Sequence, residues 1–198
     1  STEVTIAIKK RLKASIEPVS IRYGDMVPPI DIHYEGFVGE DTEAVLDEAP
    51  SVYTEAVQGS VPNTYQIELE GGSDDEYLIE LSSADLTVEK APLTIQANDE
   101  EVYGEENPVF SLHYDGLVLG EDESVVEPPT ASTEATPDSD TGIYSITLSG
   151  GNAENYEIAL KDGSLTVSKA RAAILITGLE QETDNTPKEV TVTTDPSN

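Results

Sequence analysis

The chain has no cysteine and no tryptophan, and it carries one methionine, two histidines and two phenylalanines among 198 residues. Without cysteine there is no disulfide, thiol nucleophile or thiolate metal site, and the compartment stays open because such a chain suits oxidising and reducing surroundings alike. Basic residues are scarce as well: Lys plus Arg is 10 against 40 Asp plus Glu, a formal net charge of −30. A surface of that sign repels phosphate backbones and anionic lipid, which argues against nucleic-acid and membrane-surface partners. No apolar run approaches the roughly 20 residues of a membrane helix, so no membrane insertion is expected, and the N-terminal segment lacks the order of a signal peptide. Catalytic side chains are therefore few, and no enzyme is expected.

What is present is periodic. Hydrophobic residues make up only 37%, yet Val, Ile, Leu and Tyr alternate in runs bounded by Gly, Pro, Asn and Asp, which predicts strands rather than disorder. The runs also repeat. Ile21-Arg22-Tyr23-Gly24-Asp25 returns as Glu101-Val102-Tyr103-Gly104-Glu105, and Ile32-His33-Tyr34-Glu35-Gly36 as Leu112-His113-Tyr114-Asp115-Gly116, each 80 positions later. Gly39-Glu40-Asp41 is paired with Gly120-Glu121-Asp122 through a one-residue slip. Tyr65–Gly72 matches Tyr144–Gly151, Tyr77 matches Tyr156, and Asp85–Lys90 matches Ser164–Lys169, all 79 apart. Such self-similarity marks a tandem array.

The repeats place one domain at 11–90 and a second at 91–170, each with net charge −14, from 4 basic and 18 acidic residues in the first and 2 and 16 in the second. Residues 1–10 read as the last strand of a preceding repeat, because Ile6–Lys10 lines up with Leu86–Lys90. Residues 171–198 read as the truncated start of a further module. Strands are expected near 13–22, 28–35, 50–57, 64–70, 76–81 and 85–89, and near 93–98, 108–115, 129–135, 142–149, 155–160 and 164–169. A hairpin turn is expected at Asp162-Gly163. The acidic segments Gly39–Leu46 and Gly120–Val126 suit either one short helix or a crossover loop. The fold class is mostly β, with two tandem small β-rich domains that are β-grasp-like, an Ig-like β-sandwich being the alternative. No Gly/Ser linker separates the repeats, which predicts a stiff rod, and Pro92 is expected to stop an interior ladder at the junction.

Several segments of the second repeat carry a family resemblance: Lys90–Ile95, Tyr103–Pro108, Tyr114–Asp122, Gly142–Ile146, Asn155-Tyr156 and Gly163–Ala170. Together they resemble the MBG domain of Tyr-Gly type. The first repeat is a divergent copy, with Met26–Pro29 in place of Asn-Pro, Asn63 in place of Gly, and Glu76-Tyr77 in place of Asn-Tyr. The tail from Arg171 is similar to the start of a related MBG type, with Thr183–Thr186 in place of its Tyr-Asp-Gly-Thr hallmark. The resemblance implies a tandem module of large bacterial surface or secreted, adhesin-like proteins, extracellular and without a known active site. Its signature here is Tyr23, Gly24, Tyr103, Gly104, Tyr114 and Gly116.

Candidate sites stand beside plainer readings. His33 and His113 are too far apart for a nucleophile and base pair, and alternation puts them on the wet face of their strands. Acidic clusters at Asp74, Asp75, Asp138 and Asp140 are candidates for a weak calcium site, though no Asp-x-Asp-x-Asp-Gly loop is present and a solvated acidic face is the preferred reading. The repeated tyrosines suit core positions with hydroxyls at the rim, or a face that stacks on host glycan or contacts a matrix protein. The expected function is a non-catalytic stalk whose partners are neighbouring repeats of the same chain. Tyr23-Gly24 and Tyr103-Gly104 are expected to be turns that need glycine for a positive φ.

Overall fold

The computed structural model describes residues 8–102, 106–169, 173–178, 180, 186–187 and 189–195. Residues 1–7, Tyr103, Gly104 and most of the 179–188 segment, to which parts of the expected preceding strand, the signature and the tail belong, lie outside the described residues.

Repeat 1 forms seven strands: β1 (Lys10–Ser15), β2 (Val19–Arg22), β3 (His33–Glu35), β4 (Glu48–Thr54), β5 (Asn63–Ser73), β6 (Tyr77–Ser82) and β7 (Ala84–Glu89). Repeat 2 forms their counterparts: β8 (Ala91–Ala97), β9 (Glu100–Val102), β10 (Leu112–Asp115), β11 (Thr130–Thr133), β12 (Gly142–Ser149), β13 (Tyr156–Lys161) and β14 (Gly163–Val167). Each repeat distributes its strands over two sheets in the same order. One sheet runs β3-β1-β6, matched by β10-β8-β13, and the other runs β2-β7-β5-β4, matched by β9-β14-β12-β11. The first and last strands pair in parallel, β1 with β6 and β2 with β7, while β4, β5 and β7 are antiparallel neighbours. The molecule is mostly β, as its alternation predicts.

The alternation also selects the core. Leu12 and Ala14 of β1, Ile67 and Leu69 of β5, and Leu86 and Val88 of β7 are buried at i, i+2 spacing, and no polar or charged described residue is buried. A fully buried Leu or Ile of this kind contributes roughly 1.5–3 kcal/mol. By compactness the chain divides into two units. The first comprises residues 1–95, 114–129 and 150–160, and the second residues 96–113, 130–149 and 161–198. In the second, Ala97, Ala135, Ile146, Leu165 and Val167 form the core, with Phe110, Leu112, Ala131, Tyr144 and Leu148 packed on it. Two further strands, β15 (Ala173–Thr177) and β16 (Thr191–Asp195), pair antiparallel, and Ile174, Leu175 and Val192 on them are more than half exposed.

Four expectations are corrected. The single strand expected at 13–22 breaks at Ile16–Pro18, because Pro18 lacks a ladder donor and the chain there passes from one sheet to the other. The strands expected from 28 and 108 shorten to His33–Glu35 and Leu112–Asp115, past Pro28, Pro29 and Pro108. Asp162-Gly163 is not a hairpin: β13 and β14 belong to different sheets, and Gly163 is a corner where a Cβ would strike the Ala97 carbonyl. Pro92 does not stop the ladder, since it is the second residue of β8, whose neighbours are β10 and β13. The acidic segments each hold one short helix, as the first of their two expected forms has it: the 3-10 helices Glu43–Val45 and Glu123–Val125.

Candidate functional site

The most elaborate polar cluster lies within the first compact unit and is built on Glu121. The loop after β10 turns so that the Glu121 amide donates to the Val118 carbonyl at 3.0 Å, and this aims the carboxylate at two phenols. Tyr23 donates to Glu121 Oε1 at 2.9 Å, and Tyr156 donates to Oε2. The Val118 amide closes the cluster by donating to Tyr156 Oη at 3.1 Å. The two rings meet edge to face, centroids 5.6 Å apart at 80°, a geometry that adds attraction beyond area burial. Tyr23 and Tyr156 are 6% and 2% exposed. Burial, then the hydrogen bond to Glu121, pushes the Tyr156 phenol up to about 12 and raises Tyr23 in the same direction.

Tyr23 reaches this site from the turn that follows β2. The Asp25 amide donates to the Arg22 carbonyl, and the Asp25 carboxylate accepts from the Arg22 amide, both at 3.0 Å. Gly24 sits at φ +93°, and an added Cβ would lie 2.6 Å from Val118 Cγ2. Glycine is therefore required twice, by the dihedral and by the approach. The Gly24 carbonyl accepts from Gln58 Nε2 at 3.0 Å.

Repeat 1 builds the same framework. The Val38 amide donates to Tyr77 Oη at 3.0 Å, Tyr77 donates to Asp41 Oδ2 at 2.6 Å, and the Asp41 amide donates to the Val38 carbonyl. These bonds equate Asp41 with Glu121 and Val38 with Val118 at a constant spacing of 80, so the one-residue slip expected at Gly39–Asp41 is corrected: Leu119, with φ +56°, stands where repeat 1 has Gly39. What differs is the cover. Lys10 Nζ lies 5.0 Å from the Tyr77 ring centroid and 3.0 Å from the Glu76 carboxylate. In repeat 2 the backbone position of Lys10 belongs to Ala91, because Lys10 donates to the Glu76 carbonyl as Ala91 does to that of Asn155.

The other candidates fall into place around these sites. Asp74 accepts from the Glu76 and Tyr77 amides at 2.8 and 2.7 Å; burial raises its pKa, and those hydrogen bonds outweigh it and hold the carboxyl below its ordinary value. Asp74 and Asp75 line a cavity of about 360 Å³ with Asp41, Val45, Asp47 and Tyr77. Asp138 and Asp140 are exposed between β11 and β12, and the Asp140 carbonyl accepts from Tyr144 Oη at 2.9 Å. Among the described residues no group of three or more His, Asp or Glu is placed to hold a metal. His33 and His113 are exposed, with Tyr34 and Tyr114 half-buried beside them. At Gly116 an added Cβ would strike the Pro92 carbonyl. The sequence singled out Tyr23 and Gly24 but missed Glu121 and Val118 as their partners; the 80-residue recurrence of the loop holding them was the available signal.

Tyr65 and Tyr144 occupy equivalent grooves of about 460 and 610 Å³, lined respectively by Tyr53, Asn63, Gln66 and Glu68 and by Ser132, Glu134, Ile143 and Thr147. No curated protein matches the chain. The model of the MBG domain (YGX type) matches at two places, residues 12–87 and 93–166. These matches span most of the chain, and the protein accordingly belongs to the MBG domain family of YGX type.

Proposed function

We propose that this chain is a non-catalytic structural segment, a stalk, of a large bacterial cell-surface adhesin-like protein, working outside the cell. The family suggests a repeat module of surface proteins. The observation that supports the finer reading is the engagement of Tyr23 and Gly24: the phenol is bound to Glu121 and the glycine backs onto Val118, so the signature turn of one repeat packs on the loop of the next. Repeats held this way resist bending at their junction, and a dense negative surface keeps neighbouring stalks apart. The partners are neighbouring repeats of the same chain.

The test is binding of the full chain to an array of mucin glycans and matrix proteins, with calcium and again with chelator. Silence in both arms supports the stalk; saturable binding to one ligand class overturns it. A second reading, that the repeats themselves bind host glycan or protein, is favoured by the equivalent tyrosine-lined grooves at Tyr65 and Tyr144. Loss of binding under chelation would assign calcium to Asp74, Asp75, Asp138 or Asp140.

A further inference from the structure

The Glu121 site of repeat 2 is filled by a turn from repeat 1, and repeat 1 carries the same framework with no turn upon it among the described residues. Tyr77, Asp41 and the Val38 amide reproduce Tyr156, Glu121 and the Val118 amide bond for bond. Glu121 uses both oxygens, one per phenol. Asp41 uses only Oδ2, and its Oδ1 has no hydrogen-bond partner among the described residues. Val38, whose counterpart is half-buried beside Gly24, is 52% exposed. The cavity of about 360 Å³ opens against Asp41, Val45 and Tyr77.

We propose that the Asp41–Tyr77–Val38 socket is a docking site for the Tyr-Gly turn of another MBG module, whose phenol donates to Asp41 while its glycine lies against Val38. The chemistry selects this occupant. A neutral phenol satisfies a carboxylate oxygen without importing charge, whereas Asp47, Asp74, Asp75 and Glu76 around the rim repel an acidic ligand. A glycine is needed where the turn meets valine, for the reason already visible at Gly24. Lys10 Nζ lies 5.0 Å from the centroid of the Tyr77 ring, which Phe37 also meets edge to face at 5.5 Å and 77°, and at the backbone position of Lys10 repeat 2 has the small Ala91. The Lys10 side chain is 40% exposed and its head is held by an exposed carboxylate, so it swings into solvent at little cost. Lys10 is thus a displaceable cover, and docking exchanges a cation for a ring edge on the same tyrosine.

The inference rests on the repeat-module reading only for the source of the turn. The test extends the full chain with a second copy of residues 11–89 placed directly before Lys9, so that the added strand runs into Lys9 as β7 runs into Lys90. Hydrogen exchange of the Val38 amide, which is bonded to Tyr77, reports occupancy. Docking slows that exchange by about tenfold, the equivalent of one hydrogen bond to a charged group. Phe for the tyrosine of the added turn removes the slowing, the same substitution and Asp41→Asn are non-additive, and Lys10→Ala in the extended chain strengthens the slowing. If the added copy unfolds cooperatively but Val38 exchanges as before, the socket is overturned and the module reading stands. If the added copy does not fold, both fall.

Discussion

Tyr77 and Tyr156 stand at equivalent positions, are each 2% exposed and each donate to a carboxylate, yet they are closed in different ways. Against Tyr77 lie Lys10 and, edge to face, Phe37 of the same repeat; against Tyr156 lies Tyr23, edge to face. One backbone position that differs is Lys10 in the first repeat and Ala91 in the second. Where the side chain stops at Cβ, there is room for a neighbouring ring. Where it extends to an ammonium, the side chain lies over the tyrosine until a docking ring displaces it.

The largest effect is expected from removing that difference in repeat 2. Ala91→Lys places a charge at a position only 2% exposed, and unfolding in urea should lose roughly 3 kcal/mol. Loss of less than about 0.5 kcal/mol, the size of an ordinary surface change, would mean that Ala91 does not make the room. Next comes Gly24→Ala, which combines a φ of +93° with the approach to Val118 and should cost about 2–3 kcal/mol. Its control is Gly39→Ala, at φ +73° with nothing within 4 Å, which should cost about 1 kcal/mol from the dihedral alone. Equal losses in the two variants would remove Val118 from the account.

Smaller again is Tyr23→Phe, which keeps the ring and deletes the bond to Glu121, for an expected loss of about 1 kcal/mol in the same assay. The pH dependence follows from the same bond. Tyr156 titrates at about 12 when folded, above the value near 10 of an unfolded tyrosine. A folded pKa raised in this way means that its contribution is whole below pH ~10 and disappears as pH climbs through about 12. Ultraviolet titration of tyrosinate should show Tyr156 and Tyr23 as late-ionising groups, and Glu121→Gln should move both earlier. Late ionisation that survives Glu121→Gln would place the cause in burial alone. The least effect belongs to Lys10→Ala, since the exposed pair with Glu76 is screened by water; a clear fall in melting temperature would show that Tyr77 depends on its cover.

The strands and the tandem organisation were readable because period-2 alternation and an 80-residue self-match are carried by the residues themselves. Leu86 and Val88, or Leu93 and Ile95, declare a buried face without reference to any partner. The division into sheets was not readable, because alternation marks which side chains face inward but not which strand lies alongside. Hence the hairpin expected at Asp162-Gly163 proved a corner between sheets. At the candidate site Tyr23 and Gly24 stood out by recurrence, whereas Glu121 was one acidic residue among 40. Aligning the loops by identical letters even moved Glu121 off its true counterpart Asp41; the amide bonds to Val38 and Val118 restored it.

The parallel pairing of β2 with β7 has a mechanical consequence. Repeat 1 is entered through β1, which leads into β2, and left through β7, so tension that passes beyond the pairs of β1 with β3 and β6 draws β2 and β7 in opposite directions along their common axis. Val19–Arg22 and Leu86–Glu89 are then loaded in shear, with four residue pairs sharing the force at once instead of opening one after another. Rupture under load is governed by the unfolding rate, and a module clamped at its points of entry and exit would hold its length under flow until that whole set of bonds failed together.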